Sequence, residues 1–294
     1  MKIDFHCHIF YEKSLDSIKF LKNLFEGFEN YGFYQRIIKQ VSSTNTIKTN
    51  NIIEKAIYHA KKANLNKIVL LPLSHNENKL VKDWTNYNNK LFIPFYNPPE
   101  KSTPENIKIA VENALLRDIY KGLKIMLPFR KKFLNESALY TAWEIAEKLE
   151  IPVLFHTGYP PPGTTKQVLK YANPINLEDI ISSFTRLKII IAHFGYPFTD
   201  IALSLAVQYK NVFLDISNLT YMMPNKLKNF LLDAKEIIGV EKILFGSDAF
   251  VCEMLETTIN YFNQINFLSD NDIDKILGLN AIKLLSSKIY SNFL

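Results

Sequence analysis

The chain has little cysteine: only Cys7 and Cys252 in 294 residues. That excludes a disulfide framework, the usual support of small secreted domains. No apolar run approaches the ~20 residues that span a bilayer. The N-terminus also lacks the basic region, apolar stretch and cleavage site of a secretory leader. A cytoplasmic protein with no membrane partner is therefore expected. Charge of one sign is not concentrated anywhere. The 35 basic and 29 acidic residues leave a formal charge of +6 and a pI near 9.0. The lysines are scattered over the helical segments, and Arg130-Lys131-Lys132 is the exception. A dispersed excess of this kind describes solvated helix faces, so no nucleic-acid partner is expected. Low-complexity tracts and internal repeats are missing as well, and nothing in the composition argues for a second domain.

What is present is a regular alternation. Strand-like runs occur at Lys2–Phe10, Lys67–Pro72, Leu91–Tyr96, Gly122–Met126, Pro152–His156, Lys188–His193, Val212–Ile216 and Lys242–Asp248. Helical patterns separate them from about residue 50 onward, and two more close the chain. One helix start is announced by Ser102-Thr103-Pro104-Glu105, a hydroxyl cap with proline in the first turn and glutamate three residues on. Strands that are apolar almost throughout are buried on both faces, as in a parallel sheet. Eight such units in one α/β chain of this length predict a single (β/α)8 TIM barrel spanning 1–294. Residues 11–50, rich in Phe, Tyr and Asn, form the longest excursion. They are expected to be an insertion after strand one, either a lid over the barrel mouth or a surface buried against a second subunit in a homo-oligomer.

Histidine is scarce too, six in all, and its placement carries the chemistry. The first strand contains His6-Cys7-His8, a pattern expected by chance only roughly 0.1 times at this composition. Side chains alternate along a strand, so His6 and His8 share one face and Ile3, Phe5, Cys7 and Ile9 the other. Two imidazoles at that spacing suit a divalent metal; a hydrogen-bonded buried pair is the alternative. Cys7 then belongs to the packing. The remaining polar residues fall at strand ends: His156 on strand five, His193 on strand six, Asp248 on strand eight, with Lys124 on strand four. By parity Leu154 pairs with His156, Ile191 with His193 and Gly246 with Asp248. All lie toward the C-terminal ends of their strands, where barrel enzymes carry their active sites. Four histidines and a carboxylate converging on one mouth point to a metal centre.

These motifs, Asp4-Phe5-His6-Cys7-His8, Phe155-His156-Thr157-Gly158, Ala192-His193-Phe194-Gly195 and Gly246-Ser247-Asp248, resemble the amidohydrolase superfamily. The nearest likeness is to its amidohydrolase-2 branch of metal-dependent hydrolases and aminocarboxymuconate-semialdehyde decarboxylase-like enzymes. The tail Lys275–Leu285 is similar to that branch's ending. The resemblance implies that His6, His8, His156 and Asp248 hold the metal, while His193 orients or deprotonates a metal-activated water. Asp248 would then carry that water's proton to the leaving group. Zinc suits the ligand set best, with Mn, Fe and Co as alternatives. Lys124 is read either as a substrate-binding charge, with Arg130 beyond it, or as a carbamate bridging two metals, or as a plain partner of Asp248.

Lower-ranked candidates are His75 near the mouth, Asp215 as a hydrogen-bonding cap on strand seven, and Tyr159 and Tyr196 as pocket walls. Prolines 160–162 are read as stiffening a rim loop, and His59 as a surface residue. The expected activity is hydrolysis of an amide, lactone or related acyl bond in a small polar molecule. The alternative is non-oxidative decarboxylation of an aromatic or unsaturated acid by the same metal shell. A TatD-like DNase expects glutamate where Lys124 stands, and a non-catalytic metal- or nucleic-acid-binding barrel leaves the strand-six histidine without a purpose.

Overall fold

The computed structural model describes residues 1–12, 14–158 and 168–286. Tyr159 and prolines 160–162 lie outside the described residues. The eight strands are β1 Ile3–Cys7, β2 Lys67–Leu70, β3 Phe92–Pro94, β4 Leu123–Ile125, β5 Val153–Phe155, β6 Ile189–Ile191, β7 Val212–Asp215 and β8 Ile243–Leu244. All pair in parallel, in the orders β1-β2-β3 and β4-β5-β6-β7-β8.

Backbone hydrogen bonds close both seams. Tyr96 N donates to Gly122 O at 2.9 Å and Lys124 N to Tyr96 O at 2.9 Å, joining the end of β3 to β4. Phe5 N donates to Phe245 O at 2.9 Å, Asp248 N to His6 O at 2.7 Å and His8 N to Ala249 O at 3.0 Å, joining β8 to β1. Every strand thereby gains two neighbours, and the fold is the (β/α)8 barrel.

The apolar runs divide as a barrel requires. Ile3, Phe5, Val69, Ile93, Leu154, Ile190 and Leu244 fill the interior, which Ala281, Leu284 and Leu285 cover at the N-terminal end. Alternate residues such as Ile68, Leu70, Leu123, Val153 and Leu214 pack outward against the helices. In β1 this alternation breaks. Asp4 stands opposite Ile68 but Cys7 opposite Leu70, so three residues advance against two. The bulge corrects the strict two-face reading: Ile3 and Phe5 face the interior, whereas Cys7 and Ile9 join the outer cluster. An extra residue in one strand exchanges the faces beyond it, and here it turns His6 and His8 toward the barrel mouth.

Helix Ile52–Lys62 begins at Asn51, whose side chain accepts from Ile53 N at 2.9 Å. Helix Pro104–Glu112 is capped by Thr103, which accepts from Asn106 N at 3.3 Å. The cap is therefore one residue later than the Ser102–Glu105 pattern suggests, because Pro104 already occupies the first turn. Helix Asn78–Tyr87 returns the chain from β2 to β3 and buries Val81 and Trp84. Residues 11–50 carry helices Ser17–Leu24 and Gly32–Ser42. Arg36 reaches from the second of these to the carbonyls of Tyr221 and Met222, both at 2.8 Å. No helix among the described residues is long and apolar enough to cross a membrane.

Candidate metal centre

His6 and His8 are both buried, and each ring is oriented by its Nδ1. His8 Nδ1 lies 2.7 Å from Leu71 O. A carbonyl only accepts, so His8 carries its proton on Nδ1. His6 Nδ1 lies 2.5 Å from Asp215 Oδ2, a carboxylate that also accepts from Ser217 N at 2.7 Å and Ser217 Oγ at 2.9 Å. Both Nε2 atoms are thereby left as bare lone pairs, and they face each other at 3.1 Å. Two lone pairs at that distance repel unless a proton or a cation lies between them. Burial, with the Lys124 charge beside it, pushes the His6 imidazolium well below its usual range. Burial and His6 do the same to His8. A shared proton is thus disfavoured, which leaves both lone pairs open to a common ligand.

Asp248 completes the group. Its Oδ1 stands 3.6 Å from His6 Nε2 and 3.4 Å from His8 Nε2, and these three residues are the cluster whose donor atoms converge within 4.8 Å of one another. Ligands about 2.1 Å from a common ion at tetrahedral or octahedral angles lie roughly 3.0–3.4 Å apart. The separations here fit a divalent cation with little adjustment. Asp248 sits at φ +52°, a left-handed conformation uncommon outside glycine and held here by its N–H bond to His6 O. Tyr221 OH donates to Asp248 Oδ2 at 3.4 Å. Burial raises the Asp248 carboxyl to about 7 despite the opposing Lys124 charge.

Asp4 ties the two ligand-bearing strands together. Its carboxylate accepts from His6 N at 3.2 Å, Ser247 N at 2.9 Å and Ser247 Oγ at 2.5 Å. Gly246 leaves the space they need: a Cβ there would lie 2.5 Å from His6 Cβ and 2.8 Å from Asp215 Oδ1. Gly246→Ala is expected to destabilise the fold by about 1–3 kcal/mol, the usual cost of overpacking, and thermal unfolding checks this. Asp215, read from the sequence as a cap, instead orients His6. Losing such an outer partner typically weakens metal binding about 10–100-fold. Asp215→Asn is expected to show that loss in a competition titration with a chelator; unchanged affinity would remove Asp215 from the site.

His156 and His193 stand in the same cavity, although outside the three-residue group. His193 Nε2 faces His156 Nδ1 at 3.4 Å. Among the described residues His156 Nε2 is buried and has no hydrogen-bond partner, and its ring meets the Phe129 ring at 4.8 Å. Strand parity does not aim His193: Ile191 packs outward, and a left-handed turn at His193 and Phe194, φ +56° and +51°, redirects the ring. Ser217 Oγ at 2.8 Å and Asn218 Nδ2 at 3.0 Å hold its Nδ1. Ser217 and Asn218 carry no motif, and only the β7 turn brings them here.

Lys124 is fully buried, with Nζ 3.4 Å from His6 Nε2. Burial lowers it to about 7, with Asp215 and Asp248 opposing. Its charge interacts with those of Asp215 and Asp248, although neither carboxylate is in salt-bridge contact with Nζ among the described residues. Arg130 is occupied elsewhere, at 3.3 Å from Glu100 Oε2 and donating to Leu73 O at 2.8 Å. His75 packs on Tyr96 with Nδ1 3.0 Å from Asn97 O, lining a neighbouring cleft. Tyr196 packs toward Phe230. His59 is buried rather than on the surface: Nδ1 lies 2.5 Å from Glu256 Oε1 and Nε2 3.0 Å from Thr46 Oγ1. The adjacent lysines suggested solvent, but its own side chain is on the buried face of the helix.

The cavity above the group measures about 210 Å³. His8, His156, His193, Asn218 and Asp248 line one side, and Tyr11, Phe20, Leu24, Leu73, Met126, Phe129 and Phe250 supply apolar and aromatic walls. Phe20 and Leu24 come from helix Ser17–Leu24, so part of the 11–50 excursion borders the cavity.

Comparison with known proteins adds context to this geometry. A family model described as "Amidohydrolase" matches residues 62–286. Protein fluG of Emericella nidulans is 29% identical over 98 residues, which is 33% of this chain but only 11% of that protein. An uncharacterized TIM-barrel protein of Bordetella bronchiseptica, Bb4693, superposes with a TM-score of 0.71 at 18% identity, covering 97% of this chain and 98% of its own. A dihydroxybenzoic acid decarboxylase of Polaromonas sp. JS666, with bound manganese and the inhibitor 2-nitroresorcinol, gives 0.64 at 13% identity, covering 97% and 96%. At these identities the solved structures speak for the fold.

Proposed function

The chain belongs to the amidohydrolase family of metal-dependent enzymes, and from that premise we propose that it hydrolyses an amide, lactone or related acyl bond in a small molecule. The observation that carries this reading is the meeting of two imidazole lone pairs and a carboxylate oxygen, all buried, at the C-terminal mouth of the barrel. His6, His8 and Asp248 would hold one divalent ion, and His156, whose buried Nε2 has no hydrogen-bond partner among the described residues, would be the fourth ligand. Zinc suits this histidine-rich set; manganese, iron and cobalt are its competitors.

A divalent ion there supplies Lewis acidity, polarising a carbonyl and lowering the pKa of water toward about 7. The protein's own groups do the rest. Asp248 receives the proton of the attacking water at its carboxylate and returns it to the leaving group. His193 Nδ1 lies 3.0 Å from Asn218 Nδ2 and 3.3 Å from Ser217 O; in the tautomer that accepts from Asn218, His193 carries Nε2–H and would donate it to the oxygen on which charge develops. Lys124 remains unmodified and contributes a buried positive charge beneath the substrate. The apolar walls exclude water and favour a substrate with an apolar body, which amends the expectation of a wholly polar one.

The aromatic walls favour a second reading, non-oxidative decarboxylation of an aromatic acid lying between Phe20, Phe129 and Phe250. One experiment separates the two. Protein freed of metal by chelation and reloaded with Zn²⁺ or Mn²⁺ is incubated with 4-nitrophenyl acetate, a set of γ-lactones, N-acyl amides and 2,6-dihydroxybenzoate. Hydrolysis releases acid or nitrophenol, whereas decarboxylation releases CO₂. Turnover is expected to vanish on chelation and return with the ion. Activity indifferent to chelation would sink both readings.

A further inference from the structure

A buried ionic cluster beside the cavity takes no part in the chemistry above. Lys55, 1% exposed on helix Ile52–Lys62, donates from Nζ to Glu12 Oε1 at 2.7 Å and to Leu15 O at 3.2 Å, and pairs with Glu253 Oε1 at 2.9 Å. Ser17 Oγ accepts from the same nitrogen, so four oxygens surround three ammonium protons. Ser17 Oγ also lies 2.6 Å from Glu12 Oε1 and 2.7 Å from Glu253 Oε2. Cys252 N donates to Glu12 Oε2 at 2.9 Å.

The partners are placed to matter. Glu12 follows His8 and the wall residue Tyr11 on the loop after β1. Glu253 follows Asp248 and the wall residue Phe250 on the loop after β8. Ser17 opens the helix that supplies Phe20 and Leu24 to the cavity. Stability alone does not account for the cluster, because apolar residues of similar volume often serve as well or better than a buried ion pair.

We propose that Lys55 is a positioning residue for the cavity: by clamping Glu12, Glu253 and Ser17 it sets the two ligand-bearing loops and the helix Ser17–Leu24 at one fixed spacing. The consequence for substrate binding rests on the function proposed above, whereas the consequence for local order does not.

Lys55→Met alone leaves two buried carboxylates without their ammonium partner, and Tm is expected to fall by about 10 °C, as any structural role would also require. The deciding variant is Glu12→Gln/Lys55→Met/Glu253→Gln, which removes the ammonium and both of its carboxylates at similar volume and leaves the adjoining His59–Glu256 pair in place. Mn²⁺-loaded parent and variant are compared by amide hydrogen exchange, Mn²⁺ binding and steady-state kinetics on the acyl or carboxylate substrate the parent turns over. Exchange is expected to quicken about 10-fold or more in peptides covering 14–24 and 249–254, and to stay unchanged at 67–71 and 189–192. One Mn²⁺ remains bound, and KM rises about 10-fold while kcat moves less than about threefold. Unchanged exchange at 14–24 and 249–254, equal quickening in the strands, or an unchanged KM overturns the proposal. Should the triple variant fail to fold, Ser17→Ala unties the helix with the charges still paired, and unaltered exchange over 17–24 overturns the proposal equally. A wrong functional reading shows itself separately, as a parent without metal-dependent turnover, and leaves the exchange result decisive.

Discussion

A His6→Ala/His8→Ala variant is expected to retain no divalent ion by elemental analysis, against one per chain in the parent. Both proteins would be purified without chelators or a metal-affinity column. The two Nε2 atoms face each other at 3.1 Å, and Leu71 O and Asp215 fix their tautomers. They therefore contribute two of the three donor atoms that converge. Binding free energies of about 10–16 kcal/mol for four-ligand zinc sites correspond to roughly 3–4 kcal/mol per ligand. Losing two ligands weakens binding about 10⁴- to 10⁶-fold. The barrel should survive, because alanine removes the mutual repulsion of the lone pairs, and circular dichroism verifies this. One ion persisting in the double variant would place the centre elsewhere. Two ions in the parent would instead make Lys124 a bridging carbamate and His156 and His193 ligands of the second metal.

Asp248→Asn is expected to lower turnover by about 10²- to 10⁴-fold at saturating metal, the range for removing a general acid–base group. Asparagine keeps one oxygen for the ion, gives up the Oδ2 acceptor that Tyr221 OH uses, and cannot take the proton of the attacking water. The ionised form of Asp248 is the active one, and in the metal-free protein burial raises its carboxyl to about 7, so an incoming ion has to displace a proton and metal loading weakens as pH drops below that value. His193→Ala serves as the companion variant: it keeps its ion and loses about 10²- to 10³-fold in turnover, as an oxyanion donor would. If Asp248→Asn turns over at the parent's rate with its ion in place, the proton relay belongs to another group. Full activity in His193→Ala would remove that histidine from the mechanism.

Much of this was legible before any coordinates, for physical reasons. Strands buried on both faces must be apolar throughout, so the β-runs announce a parallel barrel. A barrel carries its chemistry at strand C-termini, so His156, His193, Asp248 and the His6–His8 pair stood out as polar interruptions of greasy segments. Less legible was how each side chain is aimed. Strict alternation put Cys7 and Phe5 on one face, whereas the β1 bulge separates them. Parity grouped His193 with Ile191, whereas a left-handed turn past the strand end aims it. His59 looked like a surface residue because its neighbours are lysines.

The sequence by itself determined the barrel, the family and the residues that can ligate a metal, because periodicity and residue chemistry are local properties. The tertiary structure alone decided which of them converge and what holds them. Asp4, Asp215, Ser217, Asn218, Lys55, Glu12 and Glu253 are individually ordinary, and the chain separates them by up to 249 residues. They become a site only when closure of the barrel sets β8 beside β1 and brings the loops of opposite chain ends within hydrogen-bonding distance.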